Sequence, residues 1–217
     1  LLFCSSVASR CTSMLCAAAI GAGITPLVRV PSHDHQYLTR SLDVGAMGVI
    51  VPHVDSREEA ERVVDACRFP PRGHRSVAGP NPANRYRAMP QRDLLDAFDE
   101  QTTVAVMLET PEAVARADEI AAVPGVDMVM VGPHDLTAEM GILGEFRDES
   151  IMFDVERISH LTILFVSNFG LARLRLGFRS CPCPAFLCAT QAGLHFNFRV
   201  AKDAVGEVHR PPPGFRR

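Results

Sequence analysis

The sequence predicts an α/β fold in which helices cover a parallel sheet. Between residues 27 and 141, short apolar runs alternate regularly with longer amphipathic segments, in the order β-α-β-α-β-α-β. The apolar runs are nearly continuous, which is typical of strands that are buried on both faces. Such strands form either a doubly wound sheet or a barrel, and the pattern alone leaves both architectures open.

Each element has a local signature. The predicted strands are residues 27–30, 48–54, 102–110 and 127–133, and the predicted helices are residues 35–46, 56–68, 92–98, 111–123 and 135–141. Ser56 followed by Glu59 has the spacing of a capping box. Thr110 followed by Pro111 has the order of an N-cap and a first helical residue. Residues 69–90 form a loop rich in Pro, Gly and Arg, whose length favours a functional role.

Composition argues against several classes of protein. The 217 residues are 47% hydrophobic and 22% charged, carry a net charge of −3 and include no Trp. This balance predicts no nucleic-acid partner and no attraction to an anionic membrane. The seven cysteines are odd in number and follow no disulfide spacing, which indicates a reducing compartment. We therefore expect a cytoplasmic protein that does not span a membrane.

Polar side chains stand at the carboxyl ends of the predicted strands, where parallel α/β folds place their active residues. These residues are Arg29, His53, Glu109 and Asp135. Glu109 and Asp135 are one β-α unit apart, so adjacent strands bring them together, and two such carboxylates need a shared proton or a cation. Mg²⁺ or Mn²⁺ suits this donor set. The alternatives are that each acid is only a helix-start residue and that Arg29 only forms an ion pair.

These stretches together resemble the HpcH/HpaI aldolase family of metal-dependent pyruvate aldolases. The resemblance extends over about residues 15–158 and rests on PLVRVP (26–31), the segment from LDVGAMG to RGHRSV (42–77), LETPEAVARADEIAAVPGVD (108–127) and VGPHDLTAEMG (131–141). The family includes 4-hydroxy-2-oxoheptanedioate aldolase and 2-dehydro-3-deoxyglucarate aldolase, and macrophomate synthase is a relative.

The resemblance implies a (β/α)₈ TIM barrel of the phosphoenolpyruvate/pyruvate type, of which this chain holds about strands three to six. It also implies a homo-oligomer, which is a hexamer in the family. We expect residues 15–158 to form a partial barrel domain. Residues 1–14 and 159–217 are expected to be atypical ends that are either disordered or translated from the wrong reading frame.

Site residues also follow from the resemblance. It implies that Glu109 and Asp135 hold a divalent metal, which is Mg²⁺ or Mn²⁺ with Co²⁺ as a further candidate. Arg29 then stabilises an enolate, and Asp43 partners a catalytic histidine. The turn before Asp135 is expected to receive the substrate carboxylate through Gly132, Pro133 and His134.

The implied activity is that of a class II-type aldolase, a carbon–carbon lyase that cleaves or forms 2-oxo acid aldols through a pyruvate enolate. Its small-molecule partners are a 2-oxo acid and an aldehyde. One alternative is a citrate-lyase β-like CoA-ester lyase, which shares the metal carboxylates. Another is a non-catalytic truncated paralogue or misannotated fragment, because residues 1–25 contain no histidine.

Overall fold

A computed structural model describes residues 9–151, 154 and 158, all within the first of the two units into which the chain divides, Leu1–Phe165. Its strands are β1 Leu27–Arg29, β2 Gly48–Val51, β3 Thr103–Leu108 and β4 Met128–Val131. Its helices are α1 Ser9–Gly21, α2 His35–Asp43, α3 Arg57–Cys67, α4 Gln91–Gln101, α5 Pro111–Ala115, α6 Ala117–Ala121 and α7 Pro133–Glu139. All four predicted strands are present, each shorter than predicted.

The four strands form one parallel sheet in the order β1-β2-β3-β4. The predicted α/β class with a parallel sheet is therefore confirmed. Each strand pairs with the next one along the chain, which is the order of a barrel, whereas a doubly wound sheet reverses its order at a switch point. The central strand β2 is buried at every position, as expected for a strand that is covered on both faces.

Helix starts follow the predicted signals closely. The Ser56 hydroxyl accepts a hydrogen bond from the Glu59 N–H at 3.2 Å. The Glu59 carboxylate reaches back one residue further than in a standard capping box and accepts from the N–H of Asp55 at 2.8 Å. Thr110 caps α5 by accepting from the N–H of Ala113. These bonds satisfy N–H groups that a helix start would otherwise leave without partners.

Two helical regions differ from the prediction. Helix α1 was not predicted, and it spans the expected domain boundary between residues 14 and 15. The single helix expected over residues 111–123 is divided at Arg116, whose N–H bonds to both Glu112 and Ala113 carbonyls. This shared bond tightens the turn and separates α5 from α6.

Opposite the carboxyl ends of the strands, one buried arginine joins several segments. The Arg68 guanidinium donates to the carbonyls of Asp99, Thr102 and Gly125 and to the Asp127 carboxylate, over distances of 2.6 to 3.2 Å. It therefore ties α3 to the chain entering β3 and β4. The loop at 69–90 contains a short 3₁₀ helix, Pro82–Asn84.

Within the described part of the chain, no helix has both the length and the apolar character needed to cross a membrane. The expectation of atypical ends falls on residues 1–8 and 159–217, which lie outside the described residues, while residues 9–14 belong to α1. The domain limits of 15 and 158 stay a prediction.

Candidate metal centre

The carboxyl ends of the four strands each contribute one side chain to a single cluster. Arg29 is the last residue of β1, and His53 lies two residues beyond β2. Glu109 directly follows β3, and Asp135 lies in the first turn of α7, which follows β4. Because the strands are parallel and adjacent, these four positions share one edge of the sheet.

Glu109 is the centre of the cluster and is only 1% exposed. Its Oε2 accepts a hydrogen bond from the His53 N–H at 2.9 Å and lies 3.2 Å from the His53 Nδ1. Its Oε1 lies 3.5 Å from the Arg29 Nη2. The buried carboxylate therefore has partners from the ends of β1 and β2, as a buried charge requires.

The electrostatics of Glu109 reflect both burial and a second acid. Burial raises the pKa of Glu109 above its ordinary value, and the hydrogen-bonded Asp135 carboxyl raises it further. The N–H bond from His53 and the charge of its ring oppose that rise. A cation bound between the two carboxylates would remove their repulsion.

The donor set fits a divalent cation. One ligand atom from each of His53, Glu109 and Asp135 lies within 4.8 Å of the others. Two carboxylate oxygens and an imidazole nitrogen are the donors that Mn²⁺, Co²⁺ and related ions accept, and the carboxylates alone suit Mg²⁺. His53 and Asp135 are exposed and Glu109 is buried, so the cluster is open to solvent on the side of His53 and Asp135.

His53 reaches this position through an unusual backbone conformation, with φ at +51°. A non-glycine residue in the left-handed region costs roughly 1–3 kcal/mol. The conformation directs both the N–H and the ring of His53 toward Glu109. The position of His53 after a predicted strand made it a candidate, but a single loop histidine carries too little information for the sequence to indicate its role.

The predicted substrate-binding turn is adjacent to the carboxylates but offers fewer donors than expected. The N–H of Gly132 bonds to the Leu108 carbonyl at 3.0 Å, which extends the sheet by one residue. Pro133 has no N–H, and the His134 ring packs edge-on against Phe146, with centroids 4.7 Å apart. A substrate role for Gly132, Pro133 and His134 stays a prediction.

The structure does not bring Asp43 to this cluster. Asp43 ends α2, and four residues later the N–H of Met47 donates to the Pro26 carbonyl, which joins the segments that enter β2 and β1. Asp43 therefore lies toward the amino ends of the strands, opposite Glu109. Its carboxylate accepts from the Arg75 Nη2 at 3.0 Å. Asp43 therefore has a structural partner in Arg75, and the catalytic role that the resemblance implied stays a prediction.

Comparisons with known proteins identify the family to which this chain belongs. The family model described as "HpcH/HpaI aldolase/citrate lyase" matches residues 8–163. A 4-hydroxy-4-methyl-2-oxoglutarate aldolase of Hapsidospora irregularis is 38% identical over 164 residues, covering 75% of this chain and 61% of the relative. A 5-keto-4-deoxy-D-glucarate aldolase of Salmonella arizonae is 36% identical over 138 residues, covering 64% and 53% respectively. The chain thus spans about three fifths of the length of the first of these relatives.

Two solved structures share the fold of this chain. An HpcH/HpaI aldolase from Desulfitobacterium hafniense superposes with a TM-score of 0.70 at 25% identity, covering 99% of this chain and 84% of that one. Macrophomate synthase, at 22% identity and a TM-score of 0.60, shares the fold over 73% of this chain and 65% of its own. These likenesses confirm the predicted barrel-type fold, of which the described residues contain four strands. The chain belongs to the HpcH/HpaI aldolase/citrate lyase family.

Proposed function

We propose that this chain is a metal-dependent aldolase, a carbon–carbon lyase that cleaves or forms 4-hydroxy-2-oxo acids. The observation that carries the proposal is the convergence of Glu109, Asp135 and Arg29 at the carboxyl edge of the sheet. Parallel barrels place their catalytic groups at this edge. A purely structural role would not explain why two acidic residues and an arginine lie together at this edge of the sheet.

In this proposal Glu109 and Asp135 hold the divalent ion, which is Mg²⁺ or Mn²⁺, with Co²⁺ as a third candidate. When bound, the ion supplies Lewis-acid polarisation of a substrate oxygen. The burial of Glu109 keeps its carboxylate in one orientation, while the exposure of Asp135 leaves the other side of the site accessible.

Arg29 supplies fixed positive charge beside the reacting carbons. In cleavage, the bond next to the hydroxyl-bearing carbon breaks, and that carbon becomes the carbonyl of the released aldehyde or ketone after its hydroxyl loses a proton. The electron pair left on the other carbon takes up a proton and completes the methyl group of pyruvate. Negative charge accumulates on the 2-oxo oxygen between these events. A guanidinium 3.5 Å from Glu109 is positioned to compensate that charge.

The names of the relatives support the substrate class, because both aldolases reported above are named for the cleavage of oxo acids. The same names support a small 2-oxo acid and an aldehyde or ketone as ligands, and from the family resemblance we also propose a homo-oligomer in the cytoplasm. Arg29 and the two carboxylates all lie within residues 27–139, which the structure describes.

The direct test is metal-dependent release of pyruvate from 4-hydroxy-4-methyl-2-oxoglutarate. The released pyruvate is measured by its enzymatic reduction in a coupled assay. Release should need added Mg²⁺, Mn²⁺ or Co²⁺ and should stop with a chelator. Glu109→Gln should abolish it, whereas Glu112→Gln, an exposed acid in the first turn of α5, should not. Parallel assays with acyl-CoA esters distinguish the aldolase from a CoA-ester lyase. If the chain cleaves neither class of substrate, the non-catalytic alternative is left.

A further inference from the structure

His53 contacts Glu109 through two groups, not one. Its backbone N–H donates to Oε2 at 2.9 Å, and its ring Nδ1 lies 3.2 Å from the same oxygen. The N–H bond fills one of the acceptor sites of that oxygen. The side chain is 58% exposed, so the ring is not held there by packing in the core. The cause of the ring's approach therefore lies in the carboxylate site itself.

The spacing of the ring nitrogen and the oxygen suits two ligands of one ion. Metal–ligand bonds of about 2.1 Å at right angles place neighbouring ligand atoms about 3 Å apart, close to the observed 3.2 Å. All three donor atoms, from His53, Glu109 and Asp135, lie within 4.8 Å of one another. A neutral imidazole with its proton on Nε2 presents a lone pair at Nδ1.

We propose that the Nδ1 of His53 is a third protein ligand to the divalent ion, beside the carboxylates of Glu109 and Asp135. This inference rests on the proposed function, because it assigns the metal of the same site. It adds selectivity: an imidazole nitrogen favours Mn²⁺, Co²⁺ and later transition metals, whereas Mg²⁺ prefers oxygen donors and retained waters. The site then prefers a transition metal to Mg²⁺.

The strained backbone of His53 supports this assignment. Left-handed conformation at a non-glycine residue persists only where the surroundings require it. Here φ of +51° turns the ring to the side of the chain that faces Glu109 and Asp135. The competing explanation is that the ring only donates a hydrogen bond that positions Glu109, with no bond to the metal.

Spectroscopy separates these explanations without measuring activity. The chain loaded with Mn²⁺ is examined by electron spin-echo envelope modulation, which detects a nitrogen bonded to the ion. Nitrogen modulation is expected in the wild type and should be lost in His53→Ala and His53→Gly. Glycine accepts the positive φ without strain, so the second variant guards against a folding defect. His35→Ala, which alters an exposed histidine at the start of α2, is the matched control and should keep the modulation.

Binding constants measured by calorimetry give the second readout. Loss of an outer-shell partner typically weakens metal binding about 10- to 100-fold. Removing His53, a direct ligand, should weaken Co²⁺ binding by at least as much. Mg²⁺ binding should change little, so the Co²⁺/Mg²⁺ preference collapses. Wild type without nitrogen modulation, or modulation that persists in His53→Gly, would overturn the inference.

These outcomes also distinguish the inference from the proposed function. If the wild type binds Mn²⁺ and releases pyruvate but shows no nitrogen coupling, only the role of His53 fails. If the wild type binds no divalent ion, and Glu109→Gln behaves identically, both the metal-dependent function and the His53 ligand are wrong. Circular dichroism of each variant confirms that the comparison is made between folded proteins.

Discussion

Gly132 lies directly against the side chain of Glu109. A Cβ atom built at position 132 would stand 2.5 Å from the Glu109 Cγ and 2.7 Å from its Oε1. The backbone of Gly132 has φ of −95°, which any residue adopts, so the requirement for glycine is one of space. Because Gly132, directly after β4, has no side chain, the Glu109 carboxylate directly after β3 has room beside it.

Gly132→Ala should therefore displace Glu109 without straining the backbone. We expect a loss of about 1–3 kcal/mol in the free energy of unfolding from overpacking and a clear fall in Mn²⁺ affinity, measured by denaturant titration and calorimetry. Gly79→Ala is the matched control, because nothing lies within 4 Å of its added methyl group. Unchanged metal affinity in Gly132→Ala would show that Glu109 does not need this orientation.

The buried Arg68 network should carry a large share of the stability. Arg68 is 6% exposed and donates four hydrogen bonds, one of them to Asp127 at 2.9 Å. Burial raises the pKa of Asp127, and the Val104 N–H bond and Arg68 oppose that rise. Removing Arg68 leaves an acid and several carbonyls without this partner, a change that typically costs about 3–5 kcal/mol.

Arg68→Ala should show this loss in urea-induced unfolding, and Arg68→Lys should recover only part of it because an ammonium cannot reproduce the planar fork. Arg62→Ala is the control: that side chain is 66% exposed and stands 3.7 Å from Glu59, so its loss should stay within about 0.5 kcal/mol. Equal effects of Arg68→Ala and Arg62→Ala would contradict the role of the network.

The strand order and the strand-end residues were predictable because they depend on local signals. Apolar runs and caps such as Ser56 and Thr110 lie within a few residues of the elements that they define. Parallel pairing then brings Glu109 and Asp135 together with no further information. The sequence carries this part of the site because each side chain directly follows or nearly follows a strand.

Other features depend on contacts that the pattern does not encode. Helix α1 buries Thr12, Cys16 and Ala19 on one face, but Met14 is 73% exposed and Leu15 is 41% exposed. Apolar residues on both faces conceal the helical period.

Cys67 should make stability depend on alkaline pH. Burial raises the pKa of its thiol from 9.0 to about 12, although Arg68 and Arg75 oppose the rise. The native state then holds the proton more tightly than the unfolded state. The contribution is fully present below pH 9.0 and is lost as pH rises toward 12, at about 1.4 kcal/mol per pH unit.

The expected measurement is the free energy of unfolding as a function of pH for the wild type and Cys67→Ala. The variant is less stable at neutral pH because it loses buried volume, but its alkaline slope should be shallower. Cys11→Ala, which alters an exposed cysteine, should keep the wild-type slope. Parallel curves for all three proteins would mean that the native thiol ionises as readily as the unfolded one.

Asp43→Asn tests whether the acid at the end of α2 is structural or catalytic. Its partner Arg75 is buried, stacks on the Phe69 ring at 4.6 Å and has an Nε with no hydrogen-bond partner among the described residues. Neutralising Asp43 leaves that guanidinium less compensated, so we expect a loss of about 1–3 kcal/mol in stability. Mn²⁺ affinity and pyruvate release per folded molecule should not change, because Asp43 lies opposite Glu109.

Asp93→Asn, at an exposed position in the first turn of α4, is the control and should leave stability, metal affinity and pyruvate release unchanged. A large fall in pyruvate release at unchanged stability would instead return Asp43 to the active site and require the chain to rearrange on assembly or substrate binding.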